Sequence, residues 1–205
     1  MTTALLDVNG LSCRRGGRPV FEGASFGLAA GELLALTGRN GSGKTTLLRA
    51  LALLVSPTAG EIHWQGEPVT GDREDWHRRI AWLGHLDGLK GDLGVRENLE
   101  LACRLREEPP GKIDEALAAF ELVPLAHRAV RTLSAGQRRR TALARVAASH
   151  AALWLLDEPL NALDTPSQAA LLGVLERHLA AGGLAIAATH APIGLARART
   201  LELAR

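Results

Sequence analysis

"LLALTGRNGSGKTTLLRALALL", Leu33 to Leu54, changes its hydrophobic period in the middle. Leu33–Leu36 is a continuous apolar run, the pattern of a strand buried on both faces. Lys44–Leu54 carries helical spacing and is stopped near Ser56-Pro57. The join, Gly38 to Thr46, reads GRNGSGKTT and fits G-x-x-x-x-G-K-[ST] in the strand-to-helix context that the motif requires. Its glycines let successive backbone N–H groups curl around an anion. The helix starting near Lys44 adds the positive end of its dipole. The expectation is a phosphate-binding loop made of Gly38, Arg39, Asn40, Gly41, Ser42, Gly43, Lys44, Thr45 and Thr46. Lys44 would reach the terminal phosphates of a nucleotide, and Thr45 would place its hydroxyl on Mg²⁺.

Outward from this stretch, strand and helix alternate. "ALLDVNGLS" and "ASFGLAA" alternate like half-buried strands, and "GEIHW" and "RRIAWLG" also read as strands. "AALWLLD" and "GLAIAATH" are buried runs, and between them "PSQAALLGVLERHLAAG" is a helix beginning near Pro166. Apolar strands alternating with helices predict a parallel α/β sheet. "VRENLELACRLREE" and "IDEALAAFEL" are helical segments separated by "PPG", and "LSAGQRRRTALARVAASH" is a third helix that Ser134 can cap. The reading is a single domain over 1–205, with a catalytic core in 1–84 and 150–205 and a helical lobe in 85–149.

Composition bounds the function. The 205 residues are 46% apolar and 22% charged, as in a soluble globular domain. A net charge of +2 is too small to argue for nucleic acid as a partner. Cys13 and Cys103 lack C-x-x-C spacing and are expected as reduced thiols. No apolar run approaches the roughly 20 residues needed to cross a bilayer. "MTTALLDVNG" has no basic region followed by an apolar stretch, so it does not read as a signal peptide. A cytoplasmic protein is expected.

"LWLLDEP", Leu153 to Pro159, is the second chemical signal. Four apolar residues deliver two acids to the end of a buried strand. Asp157 is placed to hold Mg²⁺, as the strand-end acid of phosphate-loop enzymes does. Glu158 can accept a proton from an attacking water, help worth about 10²- to 10⁴-fold. These two motifs alone leave a kinase, a GTPase or another ATPase open.

"LSAGQ", Leu133 to Gln137, decides among them. With "NALD" (Asn161–Asp164) and the histidine closing "AIAATH", it resembles the signature set of ABC-type ATPases, in the family's order from Gly38 to His190. The resemblance implies a P-loop NTPase fold with N-terminal antiparallel β strands, a parallel-sheet core and a helical lobe. It also implies ATP and Mg²⁺ as cofactors, and two copies packed head to tail with each ATP shared. Ser134, Gly136 and Gln137 would then meet the γ-phosphate of the ATP on a second subunit. Glycine at 136, where alanine would favour the helix, allows close backbone approach. Arg138, Arg139 and Arg140 add positive potential nearby or are solvated surface residues. His190 is implied as the residue that contacts the γ-phosphate and orients Glu158, which makes Lys44, Glu158 and His190 the catalytic group. Asp164 is implied to meet the partner subunit.

Two positions depart from that family. His85 stands where a glutamine usually touches Mg²⁺, which leaves an imidazole as a candidate metal contact beside Thr45 and Asp157. No tyrosine is available to stack on adenine, so the flat guanidinium of Arg15, or of Arg14, is the candidate. "LGHLDGLKGDLGVRENL" (Leu83–Leu99) with "LSAGQRRRTALAR" resembles the ATP-binding subunits of haem exporters of cytochrome c maturation, the CcmA group. That resemblance implies a peripheral subunit on the cytoplasmic face of the inner membrane. Its partner would be an integral membrane subunit of the CcmB type, with further haem-handling membrane proteins. The contact is expected in the groove lined by about Leu86 to Leu93, whose leucines would be exposed for it. The alternatives are an ATPase subunit of another exporter of small or lipid-like cargo, and a soluble ABC ATPase of DNA repair or translation.

Overall fold

The computed structural model of the chain describes residues 4–69, 73–190, 192–196 and 198–203. The outermost residues of the expected domain, 1–3 and 204–205, lie outside that set. Strands β1 (Leu6–Arg15) and β2 (Arg18–Leu28) pair antiparallel across Gly16 and Gly17. Both glycines have positive φ, 55° and 76°, the left-handed backbone that a two-residue hairpin turn requires. β3 (Leu33–Thr37) leads into α1 (Lys44–Leu51). β4 (Ala59–Trp64) and β5 (Glu67–Pro68) complete an antiparallel sheet of order β2-β1-β4-β5.

After α2 (Arg73–Arg79) and β6 (Ile80–Leu83) come three helices, α3 (Val95–Leu105), α4 (Ile113–Ala119) and α5 (Ala135–Ala147). β7 (Leu153–Asp157), α6 (Thr165–Ala180), β8 (Leu184–Ala188) and β9 (Ala198–Glu202) follow. The second sheet has the order β6-β7-β8-β3-β9, and every pairing in it is parallel.

Period two explains why the central strands are apolar throughout. In β7, Trp154 and Leu156 join one core while Leu153 and Leu155 join the other. β3 and β8 divide in the same way. The first core includes α3, α4, α5 and α6, so the helical segment shares its interior with one face of the sheet. The second joins the opposite face to α1, Trp76 of α2 and the antiparallel sheet. Each fully buried leucine contributes about 1.5–3 kcal/mol relative to exposure, which makes the strand ends rigid mounts for polar side chains.

Three expectations differ in detail. "RRIAWLG" is not all strand, because Arg78 and Arg79 end α2. Trp76 is the only buried residue of that helix, too little for a periodic signal; it donates from Nε1 to the Leu51 carbonyl at 2.8 Å. The helix after the phosphate loop ends at Leu51, and Leu53 turns the chain with φ 54°. The sequence reading has no strand beyond the run that closes at His190, and β9 adds one at the edge beside β3. Its residues are only partly buried or exposed, so they form no apolar run.

His178 on α6 stacks on Trp154, with ring centroids 3.9 Å apart and planes 11° from parallel. Its Nε2–H donates to the Leu184 carbonyl at 3.1 Å. A Cβ on Gly183 would fall 2.2 Å from the imidazole, so glycine is what makes the space. Burial pushes the imidazole pKa down, which favours the neutral ring in the folded chain. The unfolded chain takes up the proton first on acidification. Stability is therefore full above the ordinary imidazole value and falls as pH drops toward the lowered folded value. The melting temperature should decline as the pH is lowered through the ordinary imidazole value of about 6.5. His178→Gln should flatten that decline when melting is followed across the same range by circular dichroism.

Candidate functional site

The loop between β3 and α1 has the backbone that its glycines were expected to supply. Gly38, Gly41 and Gly43 all have positive φ, at 135°, 78° and 100°. A Cβ on Gly38 would lie 2.7 Å from the Leu203 carbonyl and 2.7 Å from Ser42 Oγ. The N-terminus of α1 has no side-chain cap and no acid in its first turn. Its leading N–H groups are thus left for an anion rather than for a local carboxylate. Lys44 is 7% exposed, and its ammonium donates to the carbonyls of Gly38 at 2.8 Å and Arg39 at 3.3 Å. Ser42 Oγ is buried with no hydrogen-bond partner among the described residues. A polyphosphate supplies what this cradle lacks: an acceptor for Ser42 and a counter-charge for Lys44.

Asp157 ends β7 and is 3% exposed. The Thr45 hydroxyl lies 3.0 and 3.1 Å from its two carboxylate oxygens. These two side chains fit a divalent cation: a hydroxyl and a carboxylate meet beside the phosphate loop. No group of three or more His, Cys, Asp or Glu that could hold a metal occurs among the described residues. The remaining ligands of such a cation would be phosphate oxygens and water, the usual arrangement for Mg²⁺.

Glu158 follows with φ 48°, a left-handed conformation that costs a non-glycine residue about 1–3 kcal/mol and persists only when its surroundings impose it. Its N–H donates to the Ala188 carbonyl at 3.0 Å, and its own carbonyl accepts from Asn161 N–H at 3.2 Å. The turn aims the carboxylate at His190, whose Nε2 lies 3.0 Å from Oε1. The Glu158 side chain is 17% exposed and that of His190 is 49% exposed, so the pair faces solvent at the strand ends.

Ser134 caps α5. Gln137 N–H donates to its Oγ at 3.2 Å, and Ser134 N–H donates to Gln137 Oε1 at 3.0 Å. This reciprocal box leaves the Ser134 hydroxyl proton free to donate elsewhere. Among the described residues, a Cβ on Gly136 would meet only the Ala162 carbonyl, at 3.4 Å. Neither φ nor crowding within the chain requires glycine there.

The three arginines that follow are not a solvated cationic cluster. Arg138 donates to the Leu133 carbonyl at 2.6 Å, and Arg140 to the Phe120 carbonyl at 3.1 Å. Arg139 is buried and donates to four oxygens beside the site. Sequence reasoning missed that role, although a signal was present. Arg139 heads the stripe Ala142, Leu143 and Val146, positions i, i+3, i+4 and i+7 of the buried helix face.

Other expected residues are placed as follows. Arg14 is engaged by Glu22 at 3.3 Å and the Gly17 carbonyl at 2.9 Å. Arg15 is exposed and without such a partner among the described residues, which leaves it the freer base platform. Asp164 caps α6, and hydrogen bonds from Ser167 hold its carboxyl below the usual range. His85 is exposed and makes no hydrogen bond or ion pair among the described residues. The expected row of exposed leucines is corrected: Leu86 is 83% exposed, but Leu89 packs against the core and Leu93 is partly buried. Asn98 pins this loop, accepting from Lys90 N–H and donating to the carbonyls of Lys90, Leu93 and Gly94. Beside it lies an apolar groove of about 360 Å³ lined by Leu54, Trp82, Leu101 and Leu105.

Lys44→Ala removes a charged donor from the cradle. Affinity for a nucleotide triphosphate should fall about 10- to 10²-fold, read by titration with a fluorescent analogue.

Comparison with known proteins agrees with this geometry. A family model described as ABC transporter matches residues 21–161. The chain is 46% identical to the cytochrome c biogenesis ATP-binding export protein CcmA of Cupriavidus necator, over 97% of this chain and 88% of that protein. With the protein of the same description from Rhodospirillum rubrum the identity is 48%, over 94% and 83%. Among solved structures, the ATP-binding subunit of an ABC transporter superimposes with a TM-score of 0.84 at 26% identity, covering 91% of this chain and 79% of that one. An ABC transporter ATP-binding protein from Pyrococcus furiosus has the same TM-score and identity, covering 97% and 96%.

Proposed function

Because this chain belongs to the ABC transporter family of ATPases, we propose that it is the ATP-hydrolysing subunit of a cytochrome c biogenesis exporter and that two copies share their ATP sites head to tail. One observation carries the chemistry. The Thr45–Asp157 pair and the Glu158–His190 pair stand side by side where parallel strands β7 and β8 end, next to the phosphate loop after β3.

The chain's own groups divide the work. The loop from Gly38 to Thr46 binds the phosphates, with Lys44 exchanging the carbonyls of Gly38 and Arg39 for phosphate oxygens. A Mg²⁺ ion held by Thr45 and Asp157 would neutralise charge that develops on those phosphates. Glu158 takes the proton of the attacking water, and His190 holds the carboxylate in the orientation for that transfer. His85, exposed in the loop after β6, remains a candidate outer contact of that ion through water. Arg15 is the proposed platform for adenine.

Gly136 supports the shared site. Its lack of a side chain serves no contact inside the chain, whereas a γ-phosphate on a second copy needs close approach to that backbone. Ser134 would donate its free hydroxyl proton to the same phosphate, and the amide nitrogen of Gln137 lies in the same turn. Asp164, exposed at the start of α6, would face the second copy.

The groove beside Asn98 is the proposed seat of the membrane subunit, of the CcmB type. Leu86, Leu54 and Leu105, at 83%, 58% and 77% exposed, would be covered there. Among the described residues no helix is long and apolar enough to cross a membrane. Attachment to the cytoplasmic face of the inner membrane would then come from this docking. In this division of the chain, 1–84 with 150–205 is the catalytic core, and 85–149 is the lobe presented to both partners. The close relatives favour cytochrome c biogenesis over another exporter, and that choice rests on the membrane partner alone.

Glu158→Gln should lower hydrolysis about 10²- to 10⁴-fold while ATP stays bound, so that size-exclusion chromatography with ATP shows a dimer. A variant that stays monomeric would count against the shared site. Ser134→Arg should abolish hydrolysis and leave ATP binding by the monomer within about twofold. Affinity purification from the native membrane, read by mass spectrometry, should recover an integral membrane subunit encoded with haem-maturation proteins. Recovery of an unrelated permease instead would discard the cytochrome c assignment.

A further inference from the structure

Arg139 stands at a junction that core stability does not account for. It is 6% exposed and lies in the first turns of α5. Nη2 donates to the carbonyls of Asp157 at 2.8 Å and Glu158 at 2.7 Å. Nη1 donates to the Gly84 carbonyl at 3.1 Å and to Asp87 Oδ1 at 3.3 Å. Nε is buried with no hydrogen-bond partner among the described residues. A buried guanidinium with an unsatisfied N–H is a poor stabiliser, and an apolar side chain of similar volume would often serve the core as well. What the arginine does that a leucine cannot is bind three segments distant in sequence: the start of α5, the acid-bearing end of β7 and the loop after β6.

Each end of this link is in a telling state. At one end, Glu158 is in a left-handed conformation, and the arginine holds the carbonyls on both sides of that bend. At the other end, the Asp87 side chain is 27% exposed, between Leu86, 83% exposed, and Gly88, which lines the apolar groove together with Arg145. Arg145, further along α5, donates to the carbonyl of Trp82 at 3.1 Å and reaches that of Asp87 at 3.5 Å. The loop after β6 is therefore moored to the same helix by two arginines. A segment that covers Leu86 also takes water away from Asp87. Removing water strengthens an ion pair, so covering the loop tightens Asp87 on Arg139.

We propose that Arg139 is a positioning residue for hydrolysis, which sets the backbone of Glu158 and, through Asp87, makes that setting respond to whatever docks on the Leu86 loop. The second half rests on the reading that a membrane subunit occupies the groove.

The test is steady-state ATP hydrolysis by Arg139→Lys, Arg139→Met and Asp87→Asn. Each is measured for the isolated chain and for the complex with its membrane subunit, with melting temperatures alongside. A lysine cannot span four acceptors, so Arg139→Lys should lower kcat about 10²-fold, the cost of a displacement of about 1 Å at the reacting group, while KM for ATP stays within about twofold. Arg139→Met should do the same. Asp87→Asn retains the shape and loses the charge; in the complex, its ratio of stimulated to basal rate should fall toward one. A wild-type kcat in both arginine variants overturns the positioning role, as does a lower melting temperature with KM raised and kcat unchanged. If neither arginine variant folds, Asp87→Asn decides: wild-type stimulation overturns the link to the groove. A wild-type chain that hydrolyses ATP but is not stimulated by the membrane subunit overturns the docking reading and leaves the kcat result for Arg139 to stand on its own.

Discussion

A carboxylate that is 3% exposed at the end of a buried strand must be given a partner, and Asp157 has the Thr45 hydroxyl. The rest of the site follows from that requirement. β7 and β3 are separated in the sheet only by β8, and their parallel direction puts both C-terminal ends on one edge. Apolar residues on both faces keep the strands from sliding, because a shift of one residue would exchange the two cores. Thr45 and Asp157 are thus held at hydrogen-bond distance by contacts made well away from either of them.

The polar groups of the loop are satisfied provisionally. Lys44 rests on two carbonyls, and Ser42 Oγ has no partner among the described residues. Such an arrangement gives up local stability, which a bound polyphosphate would restore. The Ser134 box differs in kind. Both its members are paired within α5, yet a hydroxyl proton and an amide nitrogen remain for an acceptor outside the chain. On the proposed reading, one half-site is open toward nucleotide in the same chain, and the other toward a nucleotide on a second copy.

Arginine does the work between these parts. Arg139 and Arg145 carry the orientation of α5 to the loop after β6 and to the strand end, through carbonyl oxygens rather than through side-chain packing. Asn98 fixes the neighbouring loop in the same way, accepting from one backbone N–H and donating to several carbonyls. Such polar contacts, together with Leu89 packed against the core, hold this glycine-rich segment in place.

The sequence by itself determined the local chemistry: the phosphate loop at Gly38–Thr46, the acids at Asp157 and Glu158, the cap at Ser134, and the buried strands that carry them. These are legible because motif spacing, capping and period-two burial act over a few residues. It did not determine the edge strand β9 or the short helix around Trp76, whose apolar signals are too brief. Nor did it determine what three consecutive arginines do. Arg139 belongs to the buried stripe of α5, but only the tertiary structure decided that Gly84, Asp87, Asp157 and Glu158 would meet it. The physical reason is that a buried guanidinium takes its partners from whatever carbonyls the fold brings within reach, and those lie far from it along the chain.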